Sequence, residues 1–503
     1  MSRYRSGANR SFQRDRQAPR FDRVKLRPLA LYHWAVIHRA PENLAEIVAD
    51  PLSILLRWAT DRPVCVLHSG RPHARWSRWT VFGAPAAMLR RWPDRLEWEP
   101  TSWANEWTPS VFAGSVSIPV SNEDDGLETL ERLIAESARE VDSTALSGSF
   151  GPGWFGSFNY SLGRVLEPRA AAKNRRRPAE RWPLYEFAWC PSTLVIDRSA
   201  GLIHSAGPDG VALGDLVHPR ANPRSTGKFS MDPWVPDRPR AEVEGAIERV
   251  IAHVHAGDIF QANITQRFRT RFGGSARELA IALIEASPPW YGAYFEFSAD
   301  RRLISLSPEL FLDLDPRSRR VLTRPIKGTA PASDDPTRLE RSDKDAAELH
   351  MIVDLMRNDL GRVCEFGSVR VTESRAIESH PTVHHGVATV EGRLRPGSGV
   401  ADLIRATFPP GSVTGAPKIR AMQIIDEVEN YDRGPYCGAV GFLGVDGRVA
   451  LNVAIRTLLL EETEASYFAG GGVVADSSPS REYDEAMDKT AVVRVFEPET
   501  ADD

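Results

Sequence analysis

The chain has 503 residues, of which 42% are hydrophobic and 26% are charged, and its formal net charge is −4. This length predicts two or three domains or one large two-layer body, and the composition is ordinary for a soluble globular protein. The charge gives no reason to expect nucleic acid or a membrane as the main partner. No apolar run is long enough to span a bilayer or form a signal-peptide core, and four scattered cysteines without CxxC spacing fit a cytoplasmic, reducing compartment.

The first half of the chain is predicted to begin with a disordered basic tail, residues 1–26, because this segment is rich in Arg and Ser and poor in large apolar residues. An Arg-rich transit peptide is the weaker alternative. Residues 27–235 are predicted to form an N-terminal region of short strands, with a helix over 126–141 where the apolar period is helical. The Pro- and Gly-rich stretch 205–240 predicts the boundary to a second region, 236–503.

Residues 303–329 predict a β-hairpin that turns at Asp315–Pro316. Glu309 stands at one end of this segment and Lys327 at the other. Lysine is scarce in this chain, and an amine, unlike a guanidinium, becomes a nucleophile when desolvation removes its proton. Glu309 could then donate the proton that such a reaction needs. From these two residues alone, however, a surface ion pair is the commoner outcome.

The next segment with candidate functional residues is a predicted helix over residues 342–363. Ser342 is its N-cap and Gly361 marks its end. Asp345 and Glu348 stand three residues apart on it and therefore share one face. A solvated helix face explains most such patterns.

A Gly- and Ser-rich loop before Pro417 predicts a seat for an anion, because the glycines precede a helix N-terminus with free N–H groups. After it, a hairpin turning at Asp446–Gly447 is predicted to carry Arg456 in an otherwise apolar strand. A buried arginine is costly unless it is paired, so Arg456 is expected to bind an anion.

A second acidic face follows on the helix predicted after Pro479, where Glu482, Glu485 and Lys489 share one side. One acidic face is weak support for a site. Two acidic faces in a chain that also has a Gly-rich loop and an arginine expected to bind an anion are better explained by a shared Mg²⁺. Carboxylates at helical spacing can bind this ion and leave coordination positions for substrate and water.

Together these residues resemble the chorismate-utilising enzymes, which include the large subunits of anthranilate synthase and aminodeoxychorismate synthase and the isochorismate and salicylate synthases. The resemblance covers about residues 245–496, and it is closest to the aminodeoxychorismate pattern. The segments that carry it are GDIFQANITQRF, SPELFL, PIKGTAP, AELHMIVDLMRNDLGRV, VHHGVATVEGRL, GSVTGAPKIRAMQIID, YCGAVGFLG, VAIRTL and GGGVVADSSPSREYDEAMDK.

The resemblance implies an α+β fold of two interleaved domains, built from packed and mostly antiparallel sheets with flanking helices. It also implies that Mg²⁺ and chorismate bind between the sheets. For the metal, the resemblance implies Glu348 and Glu485 as principal Mg²⁺ ligands, with Asp345 and Glu482 in or beside the metal shell. For the substrate, it implies that Arg456 and Tyr436 hold a carboxylate and that the pocket is lined by Gly472, Lys489, Ser412 and Gly415. It also implies that His385 lies near the reacting ring and that His384 is structural.

Within the family, position 327 distinguishes the activities that the resemblance implies. Anthranilate synthases resemble this segment but have PIAGT, whereas aminodeoxychorismate synthases commonly have PIKGT, as here. The resemblance implies that the Lys327 amine attacks the chorismate ring and displaces the 4-hydroxyl, which Glu309 protonates, before ammonia displaces the lysine. Isochorismate and salicylate synthases, which add water, carry a lysine base near the position of Gln261. Because a glutamine cannot activate water as a base, the resemblance disfavours a water-adding enzyme here.

No Gly-x-Cys-x-Gly glutaminase motif occurs in the chain, so ammonia is expected from a separate glutamine amidotransferase subunit. The expected product is 4-amino-4-deoxychorismate, on the route to 4-aminobenzoate and folate. Anthranilate synthase component I and a catalytically silent, partner-binding paralogue stay open as alternatives. Where anthranilate synthases have a Leu-Leu-Glu-Ser motif for tryptophan feedback, this chain has Val-Leu-His-Ser, so Ser69 is either a tryptophan contact or part of a packed turn.

Overall fold

The structure is a computed structural model that describes residues 44–70, 78–101, 115–121, 124–139, 150–170, 181–207, 213, 228–379 and 383–498. The predicted tail over residues 1–26 lies outside these ranges. In the described part, no helix combines the length and the apolar character needed to cross a membrane.

The strands, numbered in chain order, are β1 Cys65–His68, β2 Trp79–Ala84, β3 Ala87–Arg91, β4 Arg95–Pro100, β5 Val116–Pro119, β6 Gly153–Phe158, β7 Tyr185–Cys190, β8 Ser192–Asp197, β9 Leu202–Ala206, β10 Phe229–Met231, β11 Val235–Pro236, β12 Gln261–Gly274, β13 Tyr291–Glu296, β14 Arg301–Ser307, β15 Leu310–Asp315, β16 Arg320–Arg324, β17 Ile326–Pro331, β18 Arg370–Ser379, β19 Val383–Arg393, β20 Gly415–Ala416, β21 Ala439–Gly444, β22 Val449–Val453, β23 Thr457–Glu461 and β24 Glu464–Val473.

The α-helices are α1 Leu44–Ala49, α2 Ser53–Arg57, α3 Leu127–Arg139, α4 Leu162–Leu166, α5 Arg240–His255, α6 Ala276–Ala286, α7 Pro336–Glu340, α8 Asp343–Gly361, α9 Val400–Thr407, α10 Lys418–Val428, α11 Pro479–Asp488 and α12 Ala491–Arg494.

Two twelve-stranded antiparallel sheets form the body of the protein. The first runs β10-β12-β24-β23-β14-β13-β1-β2-β8-β9, with β11 and β20 also paired to β12. The second runs β17-β19-β16-β15-β22-β21-β6-β7-β3-β4-β5, with β18 also paired to β19. Each sheet takes strands from both halves of the chain, which confirms the predicted α+β fold of interleaved domains. The boundary near residue 235 stays a prediction.

The inner faces of the sheets pack on each other through aromatic rings. Phe155 of β6 in the second sheet meets Phe295 of β13 in the first at 6.2 Å between ring centroids, and it meets Phe442 of β21 at 5.0 Å. All three side chains are at most 1% exposed. Because aromatic side chains bury the largest apolar areas, these contacts fix the two sheets against each other.

Helices cover the outer faces of the sheets and bring the predicted motifs into place. The periodicity of residues 342–363 is confirmed as α8, and the side chain of its N-cap, Ser342, accepts a hydrogen bond from the Asp345 amide. The turn after Asp315 is confirmed, with β15 and β16 paired on either side of it. The predicted hairpin over 303–329 is too long, because residues 303–307 belong to β14 in the first sheet and 326–329 belong to β17, which pairs with β19. The helix predicted after Pro479 is confirmed as α11.

Candidate active site

The candidate site lies where β17, an edge strand of the second sheet, faces β12 and β24 of the first. Its floor is the glycine run at the end of β24. A methyl group on Gly472 would come within 2.1 Å of the Gln261 amide nitrogen and 3.0 Å of the Lys327 amine. Because only hydrogen fits here, glycine lets the Lys327 and Gln261 side chains converge on one point of the backbone.

A β-bulge aims Lys327 at this point. The pairing of β17 with β19 shifts register between Ile326 and Thr329, and Gly328 between them has a φ of +81°. Bulges on edge strands commonly re-aim a side chain next to an active site. The Lys327 side chain is partly buried, and desolvation lowers its pKa, although the charges of Glu348 and Glu309 oppose that change. A lowered pKa makes the free, nucleophilic amine easier to form.

Glu309 lies between β14 and β15, where the chain crosses from the first sheet to the second. It is 4% exposed, and burial raises its pKa to about 7, although the Ser412 hydroxyl and the Lys327 charge act to lower it. A carboxyl group with this pKa holds its proton at neutral pH for much of the time. Glu309 is therefore equipped to act as a general acid.

The predicted metal ligands lie on two sides of the site, with Glu482 and Glu485 against the glycine run and Asp345 against Gly328. A methyl group on Gly471 would lie 3.2 Å from a Glu482 carboxylate oxygen and 3.8 Å from one of Glu485. On the other side, a methyl group on Gly328 would lie 3.0 Å from the Asp345 carboxyl carbon. Glu348, one turn further along α8, is within electrostatic range of both Lys327 and Glu482.

Burial and mutual repulsion shape the electrostatics of this acidic cluster. Burial raises the pKa of Glu348, and the neighbouring charges of Asp345 and Glu482 add to the rise. Burial likewise raises the pKa of Glu482, with a contribution from Glu485. Burial also tends to raise the pKa of Glu485, but Lys489, whose amine lies 2.7 Å from its carboxylate, outweighs this and holds the pKa below its ordinary value.

Hard oxygen ligands and an excess of negative charge make this cluster chemically suited to Mg²⁺. Its carboxylates nevertheless stand apart: in the described ranges, the one triad of His, Cys, Asp or Glu whose ligand atoms lie within 4.8 Å of one another is Asp124, Asp125 and Glu128. Two members of that triad, Asp125 and Glu128, pair with Arg405. In the predicted cluster, Ser477 binds Glu482 and Lys489 binds Glu485, which keeps the like charges separated.

The lysine that pairs with Glu485 also holds the glycine run. Lys489 follows the last residue of α11 and donates a hydrogen bond to the Gly470 carbonyl at 2.7 Å. Lys489 therefore lies against β24, and its role in lining a substrate pocket stays a prediction.

Arg456 is not in a strand, contrary to the prediction. It lies at the corner where the chain passes from β22 of the second sheet to β23 of the first, with a φ of +48° and a partly buried side chain. The apolar run on both sides suggested a continuous strand, but the strands belong to different sheets. Within the described part of the chain, the Arg456 guanidinium has no ion pair or hydrogen bond, so it is available to an anion.

Tyr436, the predicted partner of Arg456, is buried and stacks on Phe468 with 4.9 Å between ring centroids. Burial raises its pKa well above the ordinary value, so the phenol stays neutral and is a hydrogen-bond donor.

His385 lies on β19 next to Gly386, which packs against the Lys327 carbonyl. It pairs with Thr329 across β19 and β17, and its Nδ1 lies 3.0 Å from the Thr329 hydroxyl. His384 instead faces β18, where its Nδ1 lies 2.8 Å from the Ser379 hydroxyl, in keeping with a structural role.

The predicted Gly-rich loop closes the site from a third side. Ser412 lies in a single 3₁₀ turn, and Gly415 pairs with Ala262 of β12 with a φ of +150°. A methyl group on Gly415 would come within 2.1 Å of the Gln261 carbonyl oxygen, so this close approach to β12 requires glycine.

Two features were missed by the sequence reasoning. Gln261 was considered only as a missing lysine base, yet its side chain is fully buried and neither amide atom has a protein partner in the described part. Lys418 was not singled out. Its amine donates to Asp359 at 2.6 Å and to the Thr407 carbonyl at 2.9 Å, which ties the start of α10 to α8. The scarcity of lysine was the one signal that could have indicated Lys418.

Replacing Lys418 with Met is expected to lower the free energy of unfolding by about 3 kcal/mol, because it leaves Asp359, which is 4% exposed, as an unpaired buried carboxylate. The double variant Lys418→Met/Asp359→Leu should recover most of this loss, since an apolar pair of similar volume replaces the ion pair. Urea unfolding measures the free energy of unfolding of the single and the double variant. A single variant as stable as the wild type would contradict the buried ion pair.

Ser69 borders a separate cavity of about 240 Å³ between the sheets. Trp79, Trp290, Tyr291 and Arg448 also line it. His68 next to Ser69 is buried, and burial lowers its pKa to about 3, so this imidazole is neutral. The structure therefore places Ser69 at a cavity wall, and a tryptophan contact there stays a prediction.

Comparison with known proteins identifies the family. A profile described as chorismate binding enzyme matches residues 99–494. Aminodeoxychorismate synthase component 1 of Escherichia coli (strain K12) is 35% identical over 460 residues, which are 89% of this chain and 95% of that protein. Anthranilate synthase component 1 of Pseudomonas putida is 32% identical over 487 residues, 92% of this chain and 95% of that protein.

Among solved structures, anthranilate synthase component I from Streptococcus pneumoniae TIGR4 matches with a TM-score of 0.69 and 28% sequence identity. The match covers 84% of this chain and 93% of that chain. The sequence relatives, the fold and the residues gathered around Gly472 agree, and the chain belongs to the chorismate-binding enzyme family.

Proposed function

We propose that this protein converts chorismate and ammonia to 4-amino-4-deoxychorismate and water. The observation that carries the proposal is the position of Lys327, whose amine lies against Gly472 with a lowered pKa, near the buried, protonatable Glu309. A family member that adds water or ammonia directly has no need of an amine here. The relatives named aminodeoxychorismate synthase component 1 support the same activity.

In the proposed reaction, the free amine of Lys327 forms a bond to C2 of the chorismate ring, both conjugated ring double bonds shift toward C4, and the C4–O bond breaks. Glu309 gives its proton to the departing oxygen, which leaves as water. Ammonia then bonds to C4, both double bonds shift back, and the Lys327 amine leaves from C2. The new ammonium group at C4 can return a proton to Glu309. One difficult displacement is replaced by two easier ones.

The other site residues hold the substrate in this proposal. Arg456 and Tyr436 bind a carboxylate of chorismate, and His385 lies beside the ring. Glu348 and Glu485 would be the main ligands of a Mg²⁺ ion, with Asp345 and Glu482 next to it. When bound, the ion would supply positive charge for a substrate carboxylate.

The ammonia is proposed to come from a separate glutamine amidotransferase subunit, as the name component 1 of the relatives suggests. The product would then feed 4-aminobenzoate and folate synthesis in the cytoplasm.

Purified protein incubated with chorismate, MgCl₂ and an ammonium salt is expected to form 4-amino-4-deoxychorismate, detected by mass spectrometry. Adding a 4-amino-4-deoxychorismate lyase should convert that product to 4-aminobenzoate, and omitting ammonium should stop its formation. Formation of fluorescent anthranilate without any lyase would contradict the proposal.

Anthranilate synthesis is the second candidate, because the relative from Pseudomonas putida that covers 92% of this chain is named anthranilate synthase component 1. The same assay separates the two, since anthranilate carries its amino group ortho to the carboxylate and fluoresces strongly. Lys327 favours the first candidate.

A further inference from the structure

Lysines concentrate at the site in a chain that uses arginine almost everywhere else. Only seven of the 63 basic residues are lysines, and three of these, Lys327, Lys344 and Lys489, surround the acidic cluster. Lys327 is the proposed nucleophile, and Lys489 binds Glu485 and the Gly470 carbonyl. Lys344 has no part in the proposed reaction.

Lys344 stands on the first turn of α8, between Asp343 and Asp345. Its amine is 3.9 Å from a carboxylate oxygen of Glu348, which is too far for a hydrogen bond, and its side chain is 58% exposed. Helix stability does not explain this position. A cation near a helix N-terminus opposes the macrodipole, and a lysine that precedes its glutamate by four residues is the weaker orientation of the pair.

The charge of Lys344 reaches the second acidic helix as well. Glu482 and Glu485 on α11 lie within electrostatic range of Lys344. One flexible ammonium group therefore offsets carboxylates on both α8 and α11.

We propose that Lys344 is a built-in counter-ion that competes with the divalent cation for the carboxylates of α8 and α11 and moves away when the cation binds. The proposal rests on the proposed function for the presence of a divalent cation. A lysine suits this role because its ammonium is a compact charge on a flexible stem, and among the described residues it has no hydrogen bond to break. An arginine would hold the carboxylates through its planar fork.

Calorimetric titration of Mg²⁺ into the full-length protein without chorismate tests the proposal. Electron paramagnetic resonance of bound Mn²⁺ provides a second measurement. Lys344→Ala is expected to tighten binding by about three- to tenfold, because it removes a like charge a few ångströms from the cation in a partly solvated site. Lys344→Arg should bind the cation no more tightly than the wild type does.

Arg357→Ala is the matched control. Arg357 is on the same helix, is 52% exposed and pairs with Asp354, so its removal changes the net charge equally, away from the cluster. Unchanged or weaker binding in Lys344→Ala, or the same tightening in Arg357→Ala, would overturn the proposal. A wild-type protein that binds neither ion would overturn it too. The product assay is read separately, so a different product would leave the cation measurement standing.

Discussion

Replacing Lys327 with alanine is expected to lower the rate of 4-amination by at least about 10³-fold, because the variant lacks the group that forms the first bond to the ring. The rate is measured as 4-amino-4-deoxychorismate formed from chorismate, Mg²⁺ and an ammonium salt. Lys228→Ala is the matched control, since Lys228 is exposed beside β10 at the edge of the first sheet, and it should keep the wild-type rate.

The covalent step makes a second, independent measurement possible. Without ammonia, wild-type protein should accumulate an adduct with the mass of chorismate less one water, and peptide mapping should place it on Lys327. The Lys327→Ala variant should form no adduct and should still bind Mg²⁺, because the acidic cluster is intact. Wild-type turnover in the variant would exclude Lys327 as the nucleophile.

Local sequence patterns predicted the elements of this fold well. The apolar period of residues 342–363 and the capping serine are local properties, and they define α8 in isolation. The same holds for the turn after Asp315, where the hairpin depends on residues next to it in the chain. The motif segments indicated the family, and therefore which side chains meet.

The features that were not predictable depend on pairing between distant parts of the chain. Arg456 looked like a strand residue because its neighbours are apolar, but those neighbours pair with different sheets, and only tertiary structure sets that change. Lys418 and Asp359 are 59 residues apart, and their ion pair follows from how α10 packs near α8. The position of Glu309 between the sheets, and its raised pKa, follow from burial in the same way.

Glu309→Gln is expected to lower the rate of 4-amination by about 10²- to 10⁴-fold, the usual contribution of a positioned acid, because an amide does not supply the proton that the departing hydroxyl needs. The pH dependence has a defined sign. Glu309 must be protonated to act, and its pKa is about 7, so the wild-type kcat/KM should fall as the pH rises through that value. The lowered pKa of Lys327 sets the opposite limb, since the amine must be free.

The same substitution should stabilise the protein at alkaline pH. The pKa of Glu309 is higher in the folded protein than in the unfolded chain, so the folded state binds this proton more tightly, and the resulting stability is lost as the pH rises through about 7. Above that pH the wild type buries a carboxylate that the amide variant lacks. In urea unfolding, the free energy of unfolding of Glu309→Gln relative to the wild type should therefore increase between pH 5 and pH 8, by up to about 3 kcal/mol.

The exposed carboxylate Glu427, replaced by Gln, should show no such pH-dependent difference. If Glu309 had a structural role instead, Glu309→Gln would lower the free energy of unfolding as well as the activity, because it would remove a stabilising carboxylate. Lower activity combined with higher stability at pH 8 therefore marks a group that is kept in an unfavourable environment for its chemistry. If Glu309→Gln lost stability at every pH, its raised pKa and its role as the acid would both be refuted.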